Sequence, residues 1–286
     1  MADEKNPFPG ENNTGHVWDD NIREMANPIP RWWMIGFWAS IIWFVAYGVL
    51  YPFIPLADGS TKGVLGWTQV GEFNEGVAEV VAVRAKFETQ IDGMTAAELL
   101  ADDGLSNYAV ASARVLFGDN CAACHGAGGA GGPGFPVLAD DDWLFGGTIE
   151  TIQQTITNGR RGMMIQHGKT LSDAEQGTLA QHVVNLSQGN SDAEGAKLFQ
   201  EKACFACHGA DAKGMQILGS ANLTDAIWRF NEADKLASAK YTITHGVNDP
   251  SDAASREAVM PAFNERLSEG DIKKLAVYVH KLGGGQ

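Results

Sequence analysis

Basic residues are scarce in this chain. Its 286 residues hold 21 Lys and Arg against 35 Asp and Glu, a formal net charge of −14. Such a surface cannot neutralise a phosphate backbone, so nucleic acid is excluded as a partner. Acidity suits plain solubility, or a basic protein partner whose encounter it steers. Alternating apolar and polar runs, the mark of half-buried strands, are few, which argues against a sheet-based fold. Charge of either sign is missing altogether from Trp32 to Ala57. Cysteine is limited to four residues.

The uncharged run, "WWMIGFWASIIWFVAYGVLYPFIPLA", is longer than the roughly 20 residues that a bilayer core needs in helix. Trp32, Trp33 and Tyr51 lie near its ends, where amphipathic rings favour the headgroup layer. The spacing predicts a single transmembrane helix over 32–56. It does not read as a cleavable signal, because the preceding segment is acid-rich and no A-x-A-like site follows. Arg23 and Arg31 on one side against Lys62 on the other favour a cytoplasmic N-terminal segment over 1–31.

The four cysteines form two identical patterns, "CAACH" at Cys121–His125 and "CFACH" at Cys204–His208. C-x-x-C-H is the attachment signature of c-type haem. Two thiols on one helical turn can each form a thioether to a vinyl group, and the adjacent histidine then meets the iron. A zinc site would bring its C-x-x-C pairs closer in sequence and leave His125 and His208 unexplained. A redox dithiol would need a βαβ context that the flanks lack, and C-x-x-C rarely serves as a structural disulfide. Haem attachment of this kind takes place outside the bacterial inner membrane, so both haem segments are expected in the periplasm.

The two haem segments are copies of each other. "LFGDNCAACHG" aligns with "LFQEKACFACHG", "VLADDDWLF" with "NLTDAIWRF", and "TNG" with "THG". "LSDAEQGTLAQHVVNLSQG" aligns with "LSEGDIKKLAVYVHKLGGG", two amphipathic helices N-capped by Ser172 and Ser268. Each copy has a helix before its C-x-x-C-H, a glycine-rich or irregular middle and a closing helix. The pattern resembles the all-α cytochrome c fold. It predicts a linker with helical content over 57–106 and tandem domains over 107–188 and 189–286, with the seam near Leu186–Gly195.

Resemblance to cytochromes c implies a methionine on the far face of each iron. "VMPAF" is similar to that family's M-P-A-F/W motif and marks Met260; Met215 follows His208 too closely. Met164 stands as far before "LSDAE" as Met260 does before "LSEGD", so register favours Met164 as the ligand of the first haem. Met163 and His167 are the rivals, because "MIQHG" lacks the family's proline and aromatic. His245 reads as a loop residue beside the second haem. The same family supplies a carbonyl to the axial histidine's other nitrogen, which falls on Pro136 and Ala221 here. Trp143 and Trp228 read as core aromatics near haem. Arg160 and Arg161 either pair with propionates or sit in a solvated loop.

Upstream, "GHVWDDNIREMANPIPRWWMIGFWASIIW" resembles the start of the dihaem subunit (CcoP or FixP, subunit III) of cbb3-type cytochrome c oxidases. "ANLTDAIW" and the placement of both haem motifs fit the same family. The resemblance implies an electron-transfer subunit without an active site of its own. It would carry two covalent haem c groups on Cys121, Cys124, His125 and Met164, and on Cys204, Cys207, His208 and Met260. Its donor would be a cytochrome c or the cytochrome bc complex. Its acceptors would be the monohaem and catalytic subunits of the proton-pumping oxidase. A free-standing membrane-anchored shuttle and a dihaem peroxidase are the competing functions.

Overall fold

The computed structural model describes residues 8, 10–19 and 21–286. The rest of the expected 1–31 segment lies outside them. The chain divides into two compact bodies, Met1–Val83 and Arg84–Gln286. In the first, β1 (Asn13–Trp18) pairs antiparallel with β2 (Ile22–Met25). The long helix α1 (Arg31–Leu50) follows. It begins after Pro30, whose extended backbone and neighbouring Pro28 keep the approach out of helix. It ends before Tyr51, which precedes Pro52 and is held extended at φ −114° and ψ 163°. The helix therefore stops short of the end of the 32–56 run, yet its 20 residues still rise ~30 Å, a hydrocarbon core's thickness. None of its residues is buried by protein, as for a helix made to face lipid. A two-residue ladder, β3 (Pro55–Leu56) with β4 (Gly59–Ser60), closes the turn after it.

The second body begins within α2 (Gln69–Asp92), so the expected 57–106 linker is not wholly a linker. Ile91 of α2, with Ala96 and Leu99 of α3 (Ala96–Ala101), is buried in the main core. A capping box between Thr95 and Glu98 starts α3, and Asp102 caps α4 (Asp103–Asn120). The single turn α5 (Ala122–His125) carries the first C-x-x-C-H. Then come α6 (Ile149–Asn158), β5 (Arg160–Arg161) and α7 (Asp173–Ser187). The second copy repeats the order: α8 (Ala193–Glu201), the turn α9 (Phe205–His208), α10 (Lys235–His245), β6 (Val259–Met260) and α11 (Glu269–His280).

The packing crosses between the copies. Helix α11, from the second copy, lies on α4 and α6 of the first; helix α7, from the first, lies on α8 and α10 of the second. Ile272, Leu275, Ala276 and Val277 of α11 thus share one core with Ala109, Ala113 and Phe117 of α4. Leu179 and Ala180 of α7 share the other with Phe199, Ala239 and Ile243. The expected seam at 188/189 therefore falls between two helices that pack together. The reason is connection length. Only a short turn separates α7 from α8, and short helix–helix connections favour neighbours in sequence. Weighed by loop closure, this arrangement gains on the order of 1 kcal/mol over two self-contained copies. Because the repeats supply equivalent helices, the packed surfaces are similar either way.

Buried charges secure the exchange. Lys274, whose side chain is 5% exposed, reaches Glu88 of α2 and Asp271, both at 2.9 Å. The His182 ring on α7 meets Asp192, the N-cap of α8, at 2.8 Å.

Candidate functional site

Each C-x-x-C-H occupies one helical turn at the end of a longer helix. The amide of Cys121 still donates to Phe117 of α4 at 2.8 Å, and the amide of His125 donates to Cys121 at 2.9 Å. The second motif repeats this, with His208 donating to Cys204 at 3.0 Å. Both thiols and the ring of each motif therefore leave the same turn, and all four cysteines are free. Burial, aided by Cys124, pushes the Cys121 thiol up to about 11. Burial raises Cys204 as well. A redox-active dithiol requires the opposite, a thiol with lowered pKa, so that reading is not supported. Nor do three or more His, Cys, Asp or Glu side chains converge among the described residues, as a protein-held zinc site would need.

Gly126 and Gly209 follow the histidines at φ +74° and +80°, turning the chain back over the ring. The returning loops place the Pro136 carbonyl 3.1 Å from His125 Nδ1 and the Ala221 carbonyl 3.0 Å from His208 Nδ1. A carbonyl only accepts, so Nδ1 carries the hydrogen and Nε2 keeps its lone pair for a metal. Burial lowers the pKa of both rings and so favours the neutral, ligating form. These turns fit haem c: free thiols at the required spacing beside a fixed imidazole.

The methionines are where chain order misleads. Met260 packs on the core that holds Cys121, Leu138 and Trp143. Met164 packs on the core that holds Cys204, Leu223 and Trp228. Each methionine thus packs on the core of the other repeat's motif, not beside its own as the repeat register leads one to expect. Backbone pairing holds the two loops in this crossed placement. Arg160 pairs with Met260 in β5–β6, while Met164 and Val247 exchange two hydrogen bonds of 2.9 Å. Gly159 and Gly246, at φ +69° and +72°, let these loops approach; a Cβ at either would collide with the carbonyl of Met260 or Met164 respectively. Asn248 joins the crossing strands, its Nδ2 donating to Gly162 at 2.6 Å and to Ala258 at 3.0 Å.

Of the rival residues, Met163 is 63% exposed and Met215 is also exposed. His167 is half-buried, and burial with the nearby His208 lowers its pKa. Phe263, its counterpart by repeat, is buried beside Met260. His245, expected in a loop, is instead the last residue of α10, where its ring meets Asp252 at 2.8 Å. Arg160 is held by Thr155 and Gln154 and stacks on Phe145.

Comparison with known proteins decides the family. Residues 10–58 match the model of the N-terminal domain of cytochrome oxidase-cbb3, FixP. Residues 109–183 and 190–279 match cytochrome c oxidase, cbb3-type, subunit III. The chain belongs to the FixP/CcoP family. Among its relatives, the cbb3-type cytochrome c oxidase subunit FixP of Azorhizobium caulinodans is 44% identical, covering 97% of this chain and 94% of the relative. FixP of a Bradyrhizobium species is 41% identical over the whole of both chains. CcoP of Cereibacter sphaeroides is 37% identical over 97% of each. Membership of FixP/CcoP agrees with a helical, membrane-anchored chain with haem c-binding cytochrome domains, and it favours neither the free shuttle nor the peroxidase.

Sequence reasoning missed one participant. Gly134 donates to the carbonyl of Arg229 at 3.0 Å, and Arg229 Nε donates back to Gly134 at 3.1 Å. The repeat alignment of "WLF" with "WRF" was the available signal.

Proposed function

We propose that this chain is the dihaem electron-transfer subunit of a cbb3-type oxidase, with its sixth ligands exchanged between repeats. Cys121, Cys124 and His125 would hold one haem c with Met260; Cys204, Cys207 and His208 would hold the other with Met164. The reading rests on one observation: two C-x-x-C-H turns, each with its histidine Nδ1 engaged by a carbonyl, and each sharing a core with a methionine from the other repeat. When bound, haem c supplies a one-electron ferric/ferrous couple.

The residues around it do the tuning. Cysteine thiols tether the macrocycle, and the carbonyls of Pro136 and Ala221 orient the imidazoles. The paired loops at Met260 and Met164 hold each thioether in place, and thioether ligation raises the potential toward that of a carrier between cytochromes. Electrons would enter from a cytochrome c or the cytochrome bc complex and leave toward the monohaem and catalytic subunits. The chain would make and break no bonds of its own. Its net charge of −14 suits steering of a basic donor. Helix α1 would anchor it in the bacterial inner membrane, with the N-terminal segment cytoplasmic and the haem modules periplasmic.

The test is haem counting followed by ligand assignment. Pyridine haemochrome assay of the purified chain is expected to give two haem c. In a Cys204→Ser, Cys207→Ser chain carrying only the first haem, Met260→Leu should abolish the methionine-to-iron charge-transfer band while Met164→Leu leaves it. The opposite outcome would return the ligands to chain order.

A further inference from the structure

Each repeat sends an equivalent aromatic across their contact, and the residues just before the two aromatics differ in charge. The Phe230 ring rests on Gly134, where a Cβ would come within 3.8 Å of it. The Phe145 ring rests on Gly219 so closely that a Cβ there would collide with it. Gly134 and Gly219 are equivalent, each two residues before the carbonyl that holds an axial histidine. Each phenylalanine therefore reaches across to the histidine loop of the other repeat. The residues before them differ: Arg229 precedes Phe230, and Leu144 precedes Phe145.

Arg229 is half-buried, and desolvation lowers its pKa. Its one side-chain hydrogen bond runs from Nε to Gly134, and no carboxylate pairs with it among the described residues. Burying a cation without a counter-charge is costly, so the fold retains a charge it does not itself neutralise. Leu144 borders the second repeat's loop at Lys213, Met215 and Ser220 and brings no charge there.

We propose that Arg229, reaching across from the second repeat, is the cationic partner of the first haem, its free guanidinium nitrogens pairing with a propionate. At the equivalent place beside the second site stands the uncharged Leu144. A cation beside a redox centre favours the reduced state, so Arg229 holds the first haem's potential above the value its ligands alone would set. It is a positioning and tuning residue, and the assignment rests on the two-haem reading above.

The experiment is a spectroelectrochemical titration of the full-length chain, each wave assigned by the drop that Met260→His or Met164→His produces. Arg229→Leu, which restores the symmetry, should shift the first haem's oxidised-to-reduced balance about tenfold or more toward oxidised, ~59 mV for a one-electron couple. The second wave should stay. Arg229→Lys should recover most of the shift, and Leu144→Arg should raise the second wave. If Arg229→Leu moves neither wave, or both equally, the proposal is overturned. If that variant does not accumulate with both haems, Leu144→Arg decides: a raised second wave supports the proposal and an unmoved one overturns it. A wild-type chain with fewer than two haems would instead overturn the two-haem reading, separately from the role of Arg229.

Discussion

At the scale of the residue, the repeat register was informative and simple proximity in sequence was not. Met163 and Met164 are adjacent, yet the extended loop turns one out and the other in. Met164→Leu is expected to remove one methionine-to-iron charge-transfer band from the ferric spectrum, and Met163→Leu to remove none. Asp142 offers a second test. Burial, with Asp225, Asp140 and Asp141 close by, pushes its carboxyl up to about 6. A carboxyl whose folded pKa lies above its unfolded one binds more protons when folded, so stability falls as pH rises from about 4 to 6. Asp142→Asn should therefore stabilise the chain at pH 7, by about 1 kcal/mol after allowance for its partial exposure. The gain should vanish below pH 4, as denaturant titrations at the two pH values would record. Gly134 and Arg229 were invisible as a pair because they lie far apart in sequence and neither belongs to a known haem motif.

At the scale of the element, helices and caps were readable. Ser172 and Ser268 cap α7 and α11 as their sequence positions led one to expect, Ser172 in a capping box with Glu175. What could not be read was the partner of each helix. The exchanged and unexchanged folds place equivalent apolar residues against equivalent surfaces, so the pattern of α7 and α11 is the same in both. The decision lies in the short α7–α8 turn and in the strand pairs at Arg160–Met260 and Met164–Val247. Gly246→Ala would force a side chain into left-handed backbone and against the Met164 carbonyl, costing about 2 kcal/mol or more. It should weaken the ligation that depends on Met164 and spare the other band. Gly159→Ala should do the converse. Parallel ferric spectra of the two variants make the comparison. The end of α1 is a milder case: hydropathy continued to Ala57, but Pro52 ended the helix first.

At the scale of the whole molecule, Arg84–Gln286 is one body because its halves are interlocked. Separate beads joined by a thread would part when the thread is cut. Here a protease nick at the exposed Gly189–Asn190 link should leave both fragments together on size exclusion under native conditions, and separate them only in denaturant. Recovery of two independent haem fragments without denaturant would show that the exchange is absent in solution. The sequence pattern established two copies of a small fold, and their number is right. Their independence was an assumption drawn from linear order, which backbone pairing between Met164 and Val247 contradicts.

The exchanged methionine loops also set an order in time. A ribosome finishes Met164 before it reaches Cys204, so on the proposed exchange all four side chains that would hold the second haem exist once His208 has been made. The first site waits for Met260 and α11, among the last residues translated. The motif written first is thus completed last. A premature stop just before Met260 would leave the second haem with its full ligand set and strip the first of its thioether and covering helix, a lesion that a ferric spectrum would report as the loss of one methionine band.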